Sequence, residues 1–196
     1  MDVSVLPTEK AVRRVAKRLN KSSCAVLGAS SALNNCADIC SSHDVNLKVN
    51  FHPLVDRLCP RTDIRVVNGG TLRKRTKIGA VDAFPPTLFT FGTMWNPGSV
   101  STDARNAWLS TGFAFRHVDE MLGEVGESCC HTSGGVALAL ALHACRRVSV
   151  YGIGGVGAGY IGDPLRKAPG GYHNLRGERK WIDALAREGR VNASCL

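Results

Sequence analysis

The sequence has no long apolar run. Its Ala/Leu-rich apolar stretch, Gly134 to Cys145, covers a dozen residues, whereas a membrane-spanning helix needs roughly 20. The first residues, Met1-Asp2-Val3-Ser4-Val5-Leu6-Pro7, lack the basic and apolar regions of a secretory signal. Internal repeats and low-complexity tracts are missing as well. Acidic residues are scarce, with 16 Asp and Glu against 25 Lys and Arg, a net charge of +9. That balance favours anionic partners: nucleic acid, an acidic membrane surface, or a phosphorylated or carboxylated ligand. Aromatic residues are few, and none interrupts the basic run Arg73-Lys74-Arg75-Thr76-Lys77. The run therefore reads as a solvated loop, and no nucleic-acid partner is expected from it.

What is present suits a folded domain. The 196 residues are 44% hydrophobic and 21% charged, enough to bury one core and too few for two. Residues 1–196 are expected to form one domain, with an N-terminal helix in 1–22 and a core over 24–191. Eight cysteines exceed the usual number for a cytosolic domain of this size and point to an oxidising compartment. With no visible leader, the expectation is a chain that has lost an N-terminal anchor.

Thr8 to Asn20 has the apolar spacing of an amphipathic helix. Cys24 to Gly28 is a short apolar run feeding a Gly-Ala-Ser-Ser turn, the form of a buried strand. Val45 to Phe51 alternates as a strand stopped by Pro53; Ile64 to Val67 and Thr87 to Phe91 are two more. Thr102 to Leu122 reads as mainly helical. Thr132-Ser133-Gly134 opens an Ala/Leu-rich helix through Cys145, and Val148 to Tyr151 is a strand leading into Gly152-Ile153-Gly154. A Gly/Pro-rich loop is expected from Val156 to Gly171, then a helix from Leu175 to Glu188 stopped by Gly189. Alternating strands and helices predict an α/β fold with a largely parallel sheet and a ligand at the carboxyl ends of its strands.

Several residue groups could carry chemistry. Gly152-x-Gly154-x-x-Gly157 matches the dinucleotide fingerprint as a string, yet that fingerprint needs a helix opening at its third glycine. Ala158-Gly159-Tyr160-Ile161-Gly162-Asp163-Pro164 is poor helix material, so an NAD-type enzyme is the lesser reading. Cys36, Cys40 and His43, with Cys129, Cys130 and His131, have no common zinc spacing, and no metal site is expected. Thr132-Ser133-Gly134 is an ordinary helix cap or, with the helix dipole, an anion site. His173, between a glycine-rich loop and a helix, is surface or a general base.

The order of these pieces is more specific than any of them. Cys24-Ala25-Val26-Leu27-Gly28-x-Ser30, then His43-Asp44-Val45-x-Leu47-Lys48-Val49-Asn50-x-x-Pro53, resembles the long sialyl motif of the eukaryotic sialyltransferases; Arg61-Thr62-Asp63-Ile64-Arg65 resembles its end. His131-Thr132-Ser133-Gly134 through Val148-x-Val150-Tyr151-Gly152-Ile153-Gly154 resembles the short motif. Gly159-Tyr160-Ile161-Gly162-Asp163-Pro164 sits where the third belongs, and His173-x-x-x-x-Glu178 matches the very small one.

The resemblance implies a Rossmann-like three-layer α/β/α sandwich, a GT-A-like variant. It also implies an inverting, metal-independent glycosyltransferase with no cofactor. Such an enzyme moves sialic acid or a related ulosonic acid from a CMP-linked donor to a glycan acceptor, in the Golgi lumen, for protein glycosylation. Its membrane association would come only through an anchor not seen in this chain. His173 would be the base. Gly28, Ser30 and Asn50 would contact CMP, and Thr132, Ser133, Gly134, Gly152, Gly154 and Tyr160 would bind the donor. Cys24 and Cys145 would form a disulfide. Ala29 replaces an Asn, Gly159 a His, Lys48 an Arg and Asp63 a Thr of the family pattern. The first two remove donor contacts, at a combined cost of roughly 10²- to 10⁴-fold in donor use. A catalytically impaired nucleotide- or glycan-binding protein is the alternative.

Overall fold

Parallel strands buried on both faces are written as unbroken apolar runs, and β1 (Ser23–Leu27) is one. In the computed structural model, Cys24 and Val26 enter one apolar cluster, while Ala25 and Leu27 enter another on the opposite face. The structure describes residues 19–20, 22–35, 38–50, 52–68, 89–94, 113–117, 132–154, 159–160, 163–167 and 175–194. Of the expected first helix only Leu19 and Asn20 fall among them; Leu19 is helical and buried.

The strands that follow are β2 (Val45–Val49), β3 (Ile64–Asn68), β4 (Phe89–Met94), β5 (Phe113–His117), β6 (Arg147–Tyr151), β7 (Gly159–Tyr160), β8 (Asp163–Lys167) and β9 (Asn192–Ala193). Among the described residues seven of the nine make one sheet in the order β5-β4-β3-β2-β1-β6-β9. Every neighbouring pair in it is parallel. β7 and β8 form a separate antiparallel pair.

Helices cover both faces. α2 (Ser133–Ala144) is buried on almost every side, as its largely apolar composition requires. α3 (Leu175–Arg187) is amphipathic, burying Glu178, Ile182 and Leu185 at i, i+4 and i+7. Gly189 ends α3 with φ +69°; its N–H bonds the Ala186 carbonyl and that of Arg190 bonds Leu185, which closes the last turn. On the other face lie a 3₁₀ turn (Ser31–Asn35) and the short helix α1 (Pro53–Leu58). The architecture is the expected α/β/α sandwich.

Three expectations change. Pro53 does not stop β2; the strand ends at Val49, the following Asn50 turns the chain with a φ of +55°, and Pro53 is the first residue of α1. There its fixed φ suits a helix start and its missing N–H loses nothing. Within Thr102 to Leu122, Phe113–His117 is a strand rather than helix, held by five-residue pairing with β4. The loop expected from Val156 to Gly171 contains the β7–β8 pair.

Disulfides pin two places. Cys24–Cys145 ties the start of β1 to the C-cap of α2 across 121 residues, and Cys40–Cys59 ties the segment before β2 to the end of α1 across 19. Two cysteines that the sequence left unassigned therefore pair with each other, and Cys40 is not available with Cys36 and His43 to hold a metal.

Candidate active site

The order in which strands are added reverses between β1 and β6: from β1 the chain builds outward through β2 to β5, then returns to lay β6 and β9 on the other side, all parallel. After β1 it leaves toward the 3₁₀ turn on one face; after β6 it goes on to α3 on the other. Such a switch point opens a crevice at the carboxyl ends of the two strands. Its floor is backbone. The Gly28 N–H donates to the Tyr151 carbonyl at 2.8 Å, and the Ser30 N–H to the Gly152 carbonyl at 3.2 Å. Gly152 and Gly154 both hold positive φ, +62° and +68°, which a side chain would strain.

Ile153 packs between the two glycine turns and the start of α2. A Cβ on Gly28 would lie 2.8 Å from one Ile153 carbon, and a Cβ on Gly134 2.9 Å from another. The turn after β1, the turn after β6 and the α2 N-terminus are thus in mutual contact. Asn50 stands at the same edge, at the end of β2, its N–H on the Val66 carbonyl at 2.7 Å.

A buried carboxylate holds the α2 end. Glu178 is 2% exposed. It accepts a hydrogen bond from the Thr132 hydroxyl and further bonds from the backbone N–H groups of Gly135 and Gly154. Thr132 in turn caps α2 by accepting from the Gly135 N–H at 2.9 Å. Burial raises the Glu178 pKa, against the opposing pull of those three donors. The Thr132 hydroxyl is engaged in both directions inside the protein, and a carboxylate of the chain already neutralises part of the helix end.

Because the folded state holds the Glu178 proton more tightly than the unfolded chain, its share of stability grows as the pH falls. The growth runs from the raised folded value down to the ordinary glutamate range. Glu178→Gln should flatten that slope and cost about 1–3 kcal/mol at neutral pH, since an amide N–H₂ would face a backbone donor. Urea unfolding at pH 5 and pH 7.5 reads both effects; unchanged stability at both values would show that the carboxylate is dispensable.

Beneath Asn50 two buried cations share one carboxylate. Asp56 lies 2.9 Å from Lys48 Nζ and 2.8 Å from an Arg65 nitrogen. Arg65 also donates to the Asn50 carbonyl at 2.6 Å and to the Thr62 hydroxyl at 3.1 Å, and Lys48 to the Cys59 carbonyl. Burial pushes the Asp56 carboxyl up, but Arg65 and Lys48 together hold it below the usual range; burial lowers the Lys48 amine. The Arg65 bond braces Asn50 in its turn. Lys48, one of the departures from the family pattern, is a fully used structural cation here.

Of the residues singled out from sequence, Gly28, Ser30, Asn50, Thr132, Ser133, Gly134, Gly152 and Gly154 gather at this edge. Ser30 is nearly buried and its hydroxyl accepts from the Ala32 N–H at 3.3 Å. Tyr160 lies on β7. His173, Cys36, Cys129, Cys130, His131, Arg73 to Lys77 and Gly157 lie outside the described residues. Two residues past Gly157 the chain is already strand β7, so no helix runs on from the third glycine as a dinucleotide site requires. Sequence reading quoted Glu178 in a motif but missed its task. The signal was an acid on the buried face of α3, in line with Ile182 and Leu185.

No protein-family model and no curated protein matches the sequence. Solved structures do. A crystal structure of a mammalian sialyltransferase superposes with a TM-score of 0.59 at 14% identity, covering 97% of this chain and 80% of that one. The fold is a sialyltransferase fold. A mammalian sialyltransferase in complex with Gal-beta-1-3GalNAc-ortho-nitrophenol superposes at 0.58, with 14% identity and the same coverage. Among the described residues no helix of this sialyltransferase-like fold is long and apolar enough to cross a membrane.

Proposed function

We propose that this protein is a glycosyltransferase that moves sialic acid or a related ulosonic acid from a CMP-linked donor to a glycan hydroxyl. The observation that carries the reading is the convergence at one switch point of the Gly28–Ser30 turn, Asn50, the α2 N-terminus and the Gly152–Gly154 turn. These are the positions the sialyl motifs mark, within a sialyltransferase fold. The donor carries a phosphodiester and a carboxylate, and a basic surface with a helix end suits both. Tyr160 and Ser133 line the donor in this reading. His173 takes the acceptor proton as the hydroxyl attacks the anomeric carbon; that bond forms as the bond to the CMP oxygen breaks, with inversion, and no metal takes part. The two disulfides support a secretory setting such as the Golgi.

CMP release should be measured with CMP-sialic acid and CMP-Kdo, using the acceptor analogue bound by the structural neighbour. His173→Ala should lower the rate at least about a hundredfold, and EDTA should leave it unchanged. Full activity in His173→Ala would overturn the mechanism.

A second reading has one observation in its favour. Ala29, where the family pattern has Asn, packs against the apolar cluster below the sheet and offers the crevice no polar side-chain atom. A protein that binds CMP without turnover would be the outcome of that loss. Calorimetry with CMP beside the rate assay separates the two, and failure to bind CMP overturns both.

A further inference from the structure

The opposite end of the sheet holds a second cleft, of about 420 Å³. It lies where β1, β6 and β9 begin, a strand length away from the switch-point crevice, or about 15 Å at the usual rise per residue. The residues that line it include Arg146, Arg147, Arg190, His43, Ser149 and Asn192. These residues come from three separate segments, so only the fold brings them together.

The cations are poorly answered. Arg146 has no ion pair among the described residues. Arg190 meets Glu188 at 3.9 Å with both side chains more than half exposed, a geometry that contributes little. Asp44 is the other carboxylate nearby. Its Oδ2 is held by the Ser23 N–H and hydroxyl, both at 2.8 Å, and those bonds, ahead of its attraction to Arg147, keep its pKa low. Arg146, Arg147 and Arg190 thus have two carboxylates to answer them, Glu188 at 3.9 Å and Asp44, which is already bonded to Ser23. Within the cleft, His43 Nε2 and the nearly buried Ser149 Oγ are joined at 2.9 Å, and the other ring nitrogen meets the Ser42 hydroxyl at 2.9 Å.

We propose that this cleft is a second binding site, separate from the crevice, for a sulfate or phosphate ester carried on a saccharide. Guanidinium forks match tetrahedral oxyanions in pairs of hydrogen bonds. Ser23, Ser42, Ser149 and Asn192 add hydroxyl and amide groups suited to sugar hydroxyls, and among the described residues no Phe, Trp or Tyr lines the cleft to stack on a nucleobase. The volume lies in the range that takes one or two sugar rings. Nothing in this proposal depends on the catalytic reading of the other edge.

Calorimetry on the native protein should show saturable binding of galactose 6-sulfate and none of galactose. In Arg147→Ala/Arg190→Ala the affinity for the ester should fall at least about tenfold while the unfolding midpoint holds, since both side chains are exposed. Amide shifts on titration should cluster at Ser149 and Asn192 and leave Gly28 and Gly152 unmoved. Unaltered affinity in the double variant, shifts confined to the crevice, or equal affinity for inorganic sulfate would each overturn the proposal.

Discussion

Replacing Cys24 and Cys145 with Ala should lower the stability of the oxidised protein by about 5 kcal/mol. The bridge closes a loop of 121 residues, and in the chain-entropy account a loop that long takes about that much disorder out of the unfolded chain. Its place adds to the effect. Cys24 is completely buried at the start of β1, and Cys145 is the residue at which α2 ends before the chain turns into β6. The turn is already drawn to β1 through the Arg146 N–H on the Ser22 carbonyl at 3.0 Å. The bridge thus clamps the strand pair that frames the crevice. Total stabilities of domains this size run to about 5–15 kcal/mol, so the variant should be partly unfolded at physiological temperature. Removing Cys40–Cys59, with its 19-residue loop, should cost less, about 3 kcal/mol. Urea unfolding of the two variants beside the native protein tests the order. Equal losses, or a loss below about 1 kcal/mol for the longer bridge, would show that the unfolded chain is not the state the bridge acts on.

Among the described glycines, Gly28→Ala should be the most damaging single added methyl group. A Cβ at Gly28 would lie 2.1 Å from the Gly152 carbonyl oxygen and 2.7 Å from its carbon. Neither is the movable end of a side chain. Relief requires the two turns to part, which breaks the Gly28 to Tyr151 and Ser30 to Gly152 hydrogen bonds and shifts Ile153 away from α2. We expect a loss of at least about 3 kcal/mol, the upper end for overpacking, together with loss of CMP binding. Gly189→Ala is the control. It too adds a methyl, at a φ of +69°, but nothing lies within 4 Å. Its cost should be the backbone strain alone, about 1 kcal/mol, with CMP binding intact. Thermal unfolding and CMP calorimetry read all of these, and a Gly28→Ala protein as stable as Gly189→Ala would mean that the turns are not in contact.

The legible parts of the fold were those whose local pattern has one structural meaning. β1, the Val148–Tyr151 part of β6, and α2 are largely apolar and have no place but the centre of a layered fold. α3 shows its helical period and its glycine stop. β5 was misread because Phe113 to His117 is surrounded by residues that suit a helix, and pairing with β4 overrides such a preference. Lys48 and Asn46 were read as the polar side of an alternating strand. Both are buried, because α1 and the Cys40–Cys59 segment cover that face. Whether such cover exists is a tertiary fact that no five-residue pattern carries.

The candidate site divides the same way. Its backbone was readable: glycines and small polar residues directly after apolar strands mark turns at the carboxyl edge, and motif order grouped them. Glu178 and Thr132 lie 46 residues apart in sequence, and only the docking of α3 beside α2 makes them a pair. The same docking turns Thr132 from an offered ligand into an internal cap. The basic cleft was invisible for that reason too, since a net charge is a sum and says nothing of where the charges meet.

By itself, then, the sequence determined the α/β class, the central strands and helices, the edge at which the motif turns gather, and the excess of positive charge. Tertiary structure alone decided which polar groups are buried and partnered, that Cys40 bridges Cys59, and that three arginines share one cleft. Local spacing governs backbone conformation over a few residues, whereas burial, ion pairing and bridging depend on approach between segments far apart in the chain.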